Sequence, residues 1–247
     1  LAVLSRNEVD GSKEGYVSVK MAEKLISHIT KNLPSEVLTN VCEIYSYKVT
    51  EAEAKLLFEI NQRHCENKFG RGEQAYFTRD ILVRSKDFDQ YCDFLSLCNR
   101  KMVLKKSSDQ DRCGFIRVGG FSDLPYVRKT EDNKEYLPLF FFEGEIGSIN
   151  QKEVKGWDWA FLKVCCKAQG VKDDILPKSS SCLAISLDEL KTHLPDGTSY
   201  EEYWPSSDFV NKVFSKKNTE AGSWTKLVLN QGEKYEGKLV AMKEFPV

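Results

Sequence analysis

Six cations fall within residues 100–117: Arg100, Lys101, Lys105, Lys106, Arg112 and Arg117, against Asp109 and Asp111. Carried on a hairpin, side chains of this kind can lie against a run of phosphates, each neutralising one backbone charge. The formal net charge of the 247-residue chain is −1, so nucleic-acid binding is confined to this patch. Asp87, Asp89 and Asp93 precede it and would repel DNA, and a solvated basic face is the competing reading. A second group is Tyr200, Tyr203 and Trp204 with Glu201 and Glu202, closed by Pro205. Such aromatic residues anchor protein interfaces, although Trp204 can equally pin the chain to its own core. A third pairing is Cys182 with His193. A thiol nucleophile needs a base within hydrogen-bond reach. The competing account is that His193, in a last helical turn, favours the helix C-terminus.

Metal chemistry is not expected. His64, Cys65, Cys92, Cys98 and Cys113 lack the close ligand pairs that mark structural zinc, and His64 reads as a core histidine on the face of Leu57 and Ile60. No G-x-S-x-G, phosphate-binding glycine loop or H-E-x-x-H occurs, and no cofactor is expected. The eight cysteines lie in a long chain, several on apolar helical faces, and no Asn-x-Ser/Thr acceptor is present. They read as reduced, buried thiols of the nucleus or cytoplasm. The opening LAVLSRNEVDG has too short an apolar run for a signal peptide, and no run reaches the roughly 20 residues that span a bilayer.

The elements that position these groups follow from periodicity. Residues 156–170 carry Trp157, Phe161, Val164 and Ala168 on one helical face, with Trp159, Leu162 and Cys166 on a second. A helix apolar over so much of its surface sits between other elements. Helices are also expected at 16–33 before Pro34, after Ser35, from the capping box Thr50-x-x-Glu53, and from Ser85. Residues 102–106 and 114–118 read as two strands around SSDQD. Helices followed by a hairpin is the order of winged-helix domains. Gly119 and Gly120 suggest a boundary. Beyond it, strands are expected at 125–129 and 136–143, the second covered on both faces because LPLFFF does not alternate. A strand at 182–185 follows, then capping boxes at Ser186-x-x-Glu189 and Ser199-x-x-Glu202, and a closing hairpin of 223–229 with 238–245. The whole is α+β: a helical, winged-helix-like subdomain over 15–118, then a mixed α/β subdomain over 119–247.

YLPL at residues 136–139, the helix ending near Gly170 and SCLAISLDELKTHL at residues 181–194 together resemble the Ski/Sno/Dachshund homology domain. Tyr136 stands where that family has a cysteine. The resemblance implies a nuclear, non-enzymatic module that binds protein partners and sometimes DNA. The resulting expectation is a scaffold or regulator of transcription or chromatin that acts through protein contacts. The alternatives are DNA or RNA binding through residues 100–117, and an enzyme built on a non-standard Cys/His site.

Overall fold

The computed structural model describes all residues except 9, 39–40, 70–78, 109–110, 121, 143–149, 172–175, 177–179, 206–209, 211–212, 215–225, 228–237 and 243–247. The protein is α+β, with two six-stranded sheets and helices interspersed among the strands. By contacts it divides into two compact units. One comprises Leu1–Asn32, Ile44–Leu95 and Ser223–Val247, and the other Leu33–Glu43 and Ser96–Gly222.

The first unit is built on β1 (Ala2–Asn7), β2 (Lys13–Ser18), β3 (Tyr45–Lys48), β4 (Ile81–Arg84), β11 (Lys226–Leu227) and β12 (Lys238–Met242). Their order is β11-β3-β4-β2-β1-β12, antiparallel except for β11 with β3. Helix α1 (Val19–Thr30) is capped by the Ser18 hydroxyl, which accepts from the Met21 amide, and buries Met21, Ala22 and Ile26. Residues 16–18, expected as its first turn, finish β2 instead, where Tyr16 pairs with Leu4 and with Arg84. Helix α3 (Glu51–His64) opens with the expected capping box in both directions between Thr50 and Glu53. Glu53 is fully buried and takes two hydrogen bonds of 2.8 Å from Arg6. Leu57, Ile60, Leu4, Tyr16 and Leu82 form the core between α3 and the sheet. His64, expected in that core, is exposed beyond it, because the helix turns its last residues to solvent. The closing hairpin does not form among the described residues: β11 and β12 lie at opposite edges of this sheet. Edge positions beside β3 and β1 satisfy their backbones separately.

The contact division falls within α4 (Ser85–Cys98), which begins at the expected Ser85. The second unit holds the short helix α2 (Ser35–Leu38) and the strands β5 (Cys113–Val118), β6 (Ser122–Arg128), β7 (Glu135–Pro138), β8 (Gln151–Lys155), β9 (Ser181–Ser186) and β10 (Tyr200–Tyr203). The strand order is β10-β5-β6-β7-β9-β8, wholly antiparallel. The wing expected at 102–118 is overturned. Residues Asn99–Val103 form a π-helical turn, and β5 takes β6 as its hairpin partner. Gly119 and Gly120 are the reason. Both have positive φ (61° and 78°), the conformation a tight hairpin turn requires and side chains resist. With β1 to β4 among the helices, the first half is not the helical subdomain with a wing that the periodicity suggested.

Helix α5 (Gly156–Ala168) is the buried helix expected, with Trp159, Phe161, Leu162, Val164, Cys165 and Cys166 covered. Trp157 is only half-buried. The helix packs on β5, β6, β8 and β9, while α6 (Leu187–Thr192), capped by Ser186, is on the β7 and β9 side. Ile116, Leu124, Tyr126, Leu137, Ile185 and Leu190 make a core with α6. The strand expected through 143 ends at Pro138, and Leu139–Phe141 curls into a 3₁₀ turn. Pro138 has no amide to extend the ladder.

Candidate interaction surface

Tertiary structure brings two of the six cations, Lys101 and Arg117, against Trp204 and Tyr203. Ser199-x-x-Glu202, expected to cap a helix, instead leads into β10, which pairs with β5 so that Tyr203 stands opposite Phe115 and Glu201 opposite Arg117. Segments some 80 residues apart in sequence thus become neighbours. The Phe115 ring meets Tyr203 at 5.7 Å and Trp204 edge-on at 5.4 Å. The Arg117 guanidinium lies 4.5 Å from the Tyr203 ring centre, and the Lys101 ammonium 5.1 Å from that of Trp204. Two cations therefore flank a cluster of three rings, with Trp204 and Tyr203 each offering a negative ring face to a charge.

Carboxylates fix this array. Arg117 donates to both oxygens of Asp123, at 2.8 and 3.3 Å, and the Tyr203 hydroxyl donates to Asp123 at 2.6 Å. The Arg117 hydrogen bond holds the Asp123 carboxyl below its ordinary value against the opposing effect of burial, and the Tyr203 bond assists. Burial and that same bond push Tyr203 up to about 12. Asp111 is buried and pairs with both Arg100 and Lys101. Burial raises its pKa, but the Lys101 hydrogen bond, the Ser108 amide and the two positive charges outweigh it, and the carboxyl titrates below its ordinary value. Lys101 also donates to the Ser107 hydroxyl at 3.0 Å. Arg112 donates to Asp158 in the first turn of α5 at 2.7 Å and sits 4.2 Å over Phe161.

Four of the six expected phosphate-binding residues, Arg100, Lys101, Arg112 and Arg117, are thus engaged by carboxylates of this unit. Lys105 and Lys106 are exposed and have no ionic partner among the described residues. Of the aromatic trio, Tyr203 and Trp204 stand over Phe115, while Tyr200 packs beside the α6 core, 5.2 Å below the Lys191 ammonium. All three are half-buried, a compromise between surface anchor and core pin. Phe115 and Asp123 were not read as site residues. The signal existed for Asp123: three residues on each side of Gly120 separate it from Arg117, the spacing of a cross-strand pair.

The Cys182–His193 pairing gains no support from geometry. Cys182 is buried, and burial followed by the Glu153 charge pushes its thiol up to about 12, so it stays protonated at neutral pH. His193 faces Glu189 at 3.5 Å, and no hydrogen bond joins it to Cys182. All eight cysteines are free thiols, with Cys98, Cys113, Cys165, Cys166 and Cys182 buried. Among the described residues no three His, Cys, Asp or Glu side chains converge as a metal site, and no helix is long and apolar enough to cross a membrane. Comparison with known proteins finds no family model, no curated protein and no solved structure that matches this chain.

Proposed function

We propose that this chain is a non-enzymatic binding module that acts through protein–protein contacts, as a nuclear scaffold or a regulator of transcription or chromatin. The observation that carries the protein-binding part is β10. It is an outer strand of its sheet among the described residues, with Tyr203 and Trp204 held in place beside it. Aromatic side chains fixed before binding lose little conformational freedom on contact with a partner. The nuclear part rests on the resemblance to the Ski/Sno/Dachshund domain. Direct nucleic-acid binding is the weaker reading, because four of the six cations already have carboxylate partners.

Capture from nuclear extract, with and without nuclease, tests this reading. A partner that survives nuclease treatment supports it. Capture abolished by nuclease transfers the function to the nucleic-acid reading, and capture of nothing removes the binding-module reading.

A further inference from the structure

We infer that the outer edge of β10 receives an extended, basic segment of a partner protein as an added strand. This inference rests on the binding-module reading and names the chemistry of the partner. The register supplies the geometry. The Gly119 amide donates to the Ser199 carbonyl at 3.0 Å, continuing the pairing of Tyr200 with Val118. In an antiparallel ladder, residues alternate between those whose N–H and C=O both face the neighbouring strand and those whose groups face away. Ser199, Glu201 and Tyr203 therefore bond towards β5. Tyr200 and Glu202 direct their N–H and C=O groups outward, where no described strand lies.

Such an edge is a template for another strand unless lysines, a proline or a bulge protect it. Tyr200–Tyr203 contains none of these, and its pairing with β5 runs without a shift; what guards it is its four-residue length and the like charge of Glu201 and Glu202, which repels acidic strands and not basic ones. The strand at the other edge of the same sheet, β8, carries Lys152 and Lys155. Charge then selects the occupant. Among the described residues, Glu201 is exposed and has no ionic partner, and Glu202, 51% exposed, has Arg128 alone, at 3.6 Å. Two copies of β10 side by side would oppose these carboxylates, and like charges across a ladder destabilise it. A segment with lysine or arginine at the facing positions gains instead. Backbone pairing provides the affinity, and alternate side chains provide the selectivity.

The test uses the full chain and a fluorescent, end-capped peptide of about nine residues that alternates lysine with valine and threonine. Its counterpart has glutamate for each lysine. Glu202→Pro removes an outward N–H, which an edge strand tolerates, together with the carboxylate that meets Arg128, so Glu202→Gln, which removes the charge alone, is its control; both should leave the melting temperature near that of the parent, and the proline variant should bind the lysine peptide more weakly than the glutamine variant does. In anisotropy titrations the lysine peptide should bind at least about tenfold tighter than the glutamate peptide, and Glu202→Pro should weaken it by a similar factor. Glu201→Lys should narrow the preference between the two peptides, and the amide resonances of Tyr200 and Glu202 should shift on binding. Equal binding by the proline variant, equal affinity for both peptides, or no saturable binding overturns the inference. So does concentration-dependent self-association that Glu202→Pro abolishes, which would make the occupant a second copy. A nuclease-resistant partner retained equally by parent and Glu202→Pro also overturns the edge inference while the module reading stands. No nuclease-resistant partner for the parent overturns the module reading itself.

Discussion

Asp111→Asn is the most informative single substitution. The Asp111 side chain is 3% exposed and serves Arg100, Lys101 and the Ser108 amide, the last at 2.9 Å. Asparagine keeps the shape and one acceptor but removes the charge. Lys101, only 6% exposed, then retains the Ser107 hydroxyl and the Trp204 ring and no carboxylate. Breaking a buried ion pair costs about 3–5 kcal/mol. Arg100 is 36% exposed, so water takes over its charge and its share is small. The two remaining Lys101 contacts offset part of the cost, leaving an expected destabilisation of about 2–4 kcal/mol. The sign with pH follows from the lowered Asp111 pKa. A carboxylate of depressed pKa contributes stability above its unfolded value, about 3.9, and loses it as pH falls through the folded value. The gap between parent and variant should therefore be full at pH 7 and narrower at pH 3. Urea unfolding followed by tryptophan fluorescence reads this, since Trp157, Trp159 and Trp204, three of the four tryptophans, lie in the second unit. Equal midpoints at pH 7, or a gap of unchanged size in acid, would refute the clamp.

The other expectations concern packing, charge and thiols. Phe161→Ala should destabilise by about 3–5 kcal/mol, and Trp157→Ala by clearly less because Trp157 is half-buried; similar losses in thermal melts would contradict that ranking. Glu53→Gln should destabilise more than the double substitution Arg6→Met with Glu53→Leu, because the single change leaves the buried Arg6 guanidinium without its carboxylate. A double variant that loses as much as Glu53→Gln, or more, in denaturant titrations would rule this out. For duplex DNA, the log–log salt slope should be no steeper than about −2, since of the six cations in 100–117 only Lys105 and Lys106 have no ionic partner among the described residues and each phosphate adds about 0.9. A slope near −5 would show that the carboxylate pairs open on binding. Maleimide should label eight thiols in denatured protein, with Cys98, Cys113, Cys165, Cys166 and Cys182 protected in the native state; rapid native labelling of all eight would mean that this core opens readily.

Residues close in sequence were enough to specify three helix starts, at Ser85 and after the Thr50 and Ser186 caps, and the buried helix. The Thr50–Glu53 capping box, the Ser186 cap and the apolar faces of α5 involve partners within a few positions, and they form as their spacing indicates. The same local logic failed at Ser199-x-x-Glu202, where a cap pattern precedes a strand. It failed too at Gly119 and Gly120, where residues that punctuate a boundary make a hairpin turn. In both cases β5 decides, because its backbone groups need neighbours on two sides and find them in β6 and β10. The candidate surface shares that origin. Composition revealed six cations in one segment and three aromatics in another. Only the pairing of β10 with β5 set Tyr203 and Trp204 against Phe115, and only the folded chain assigned Arg117 to Asp123 and Lys101 to Asp111. Helix signals are written within one or two turns of chain, whereas a strand's neighbour, and therefore its open edge, depends on residues far along the sequence.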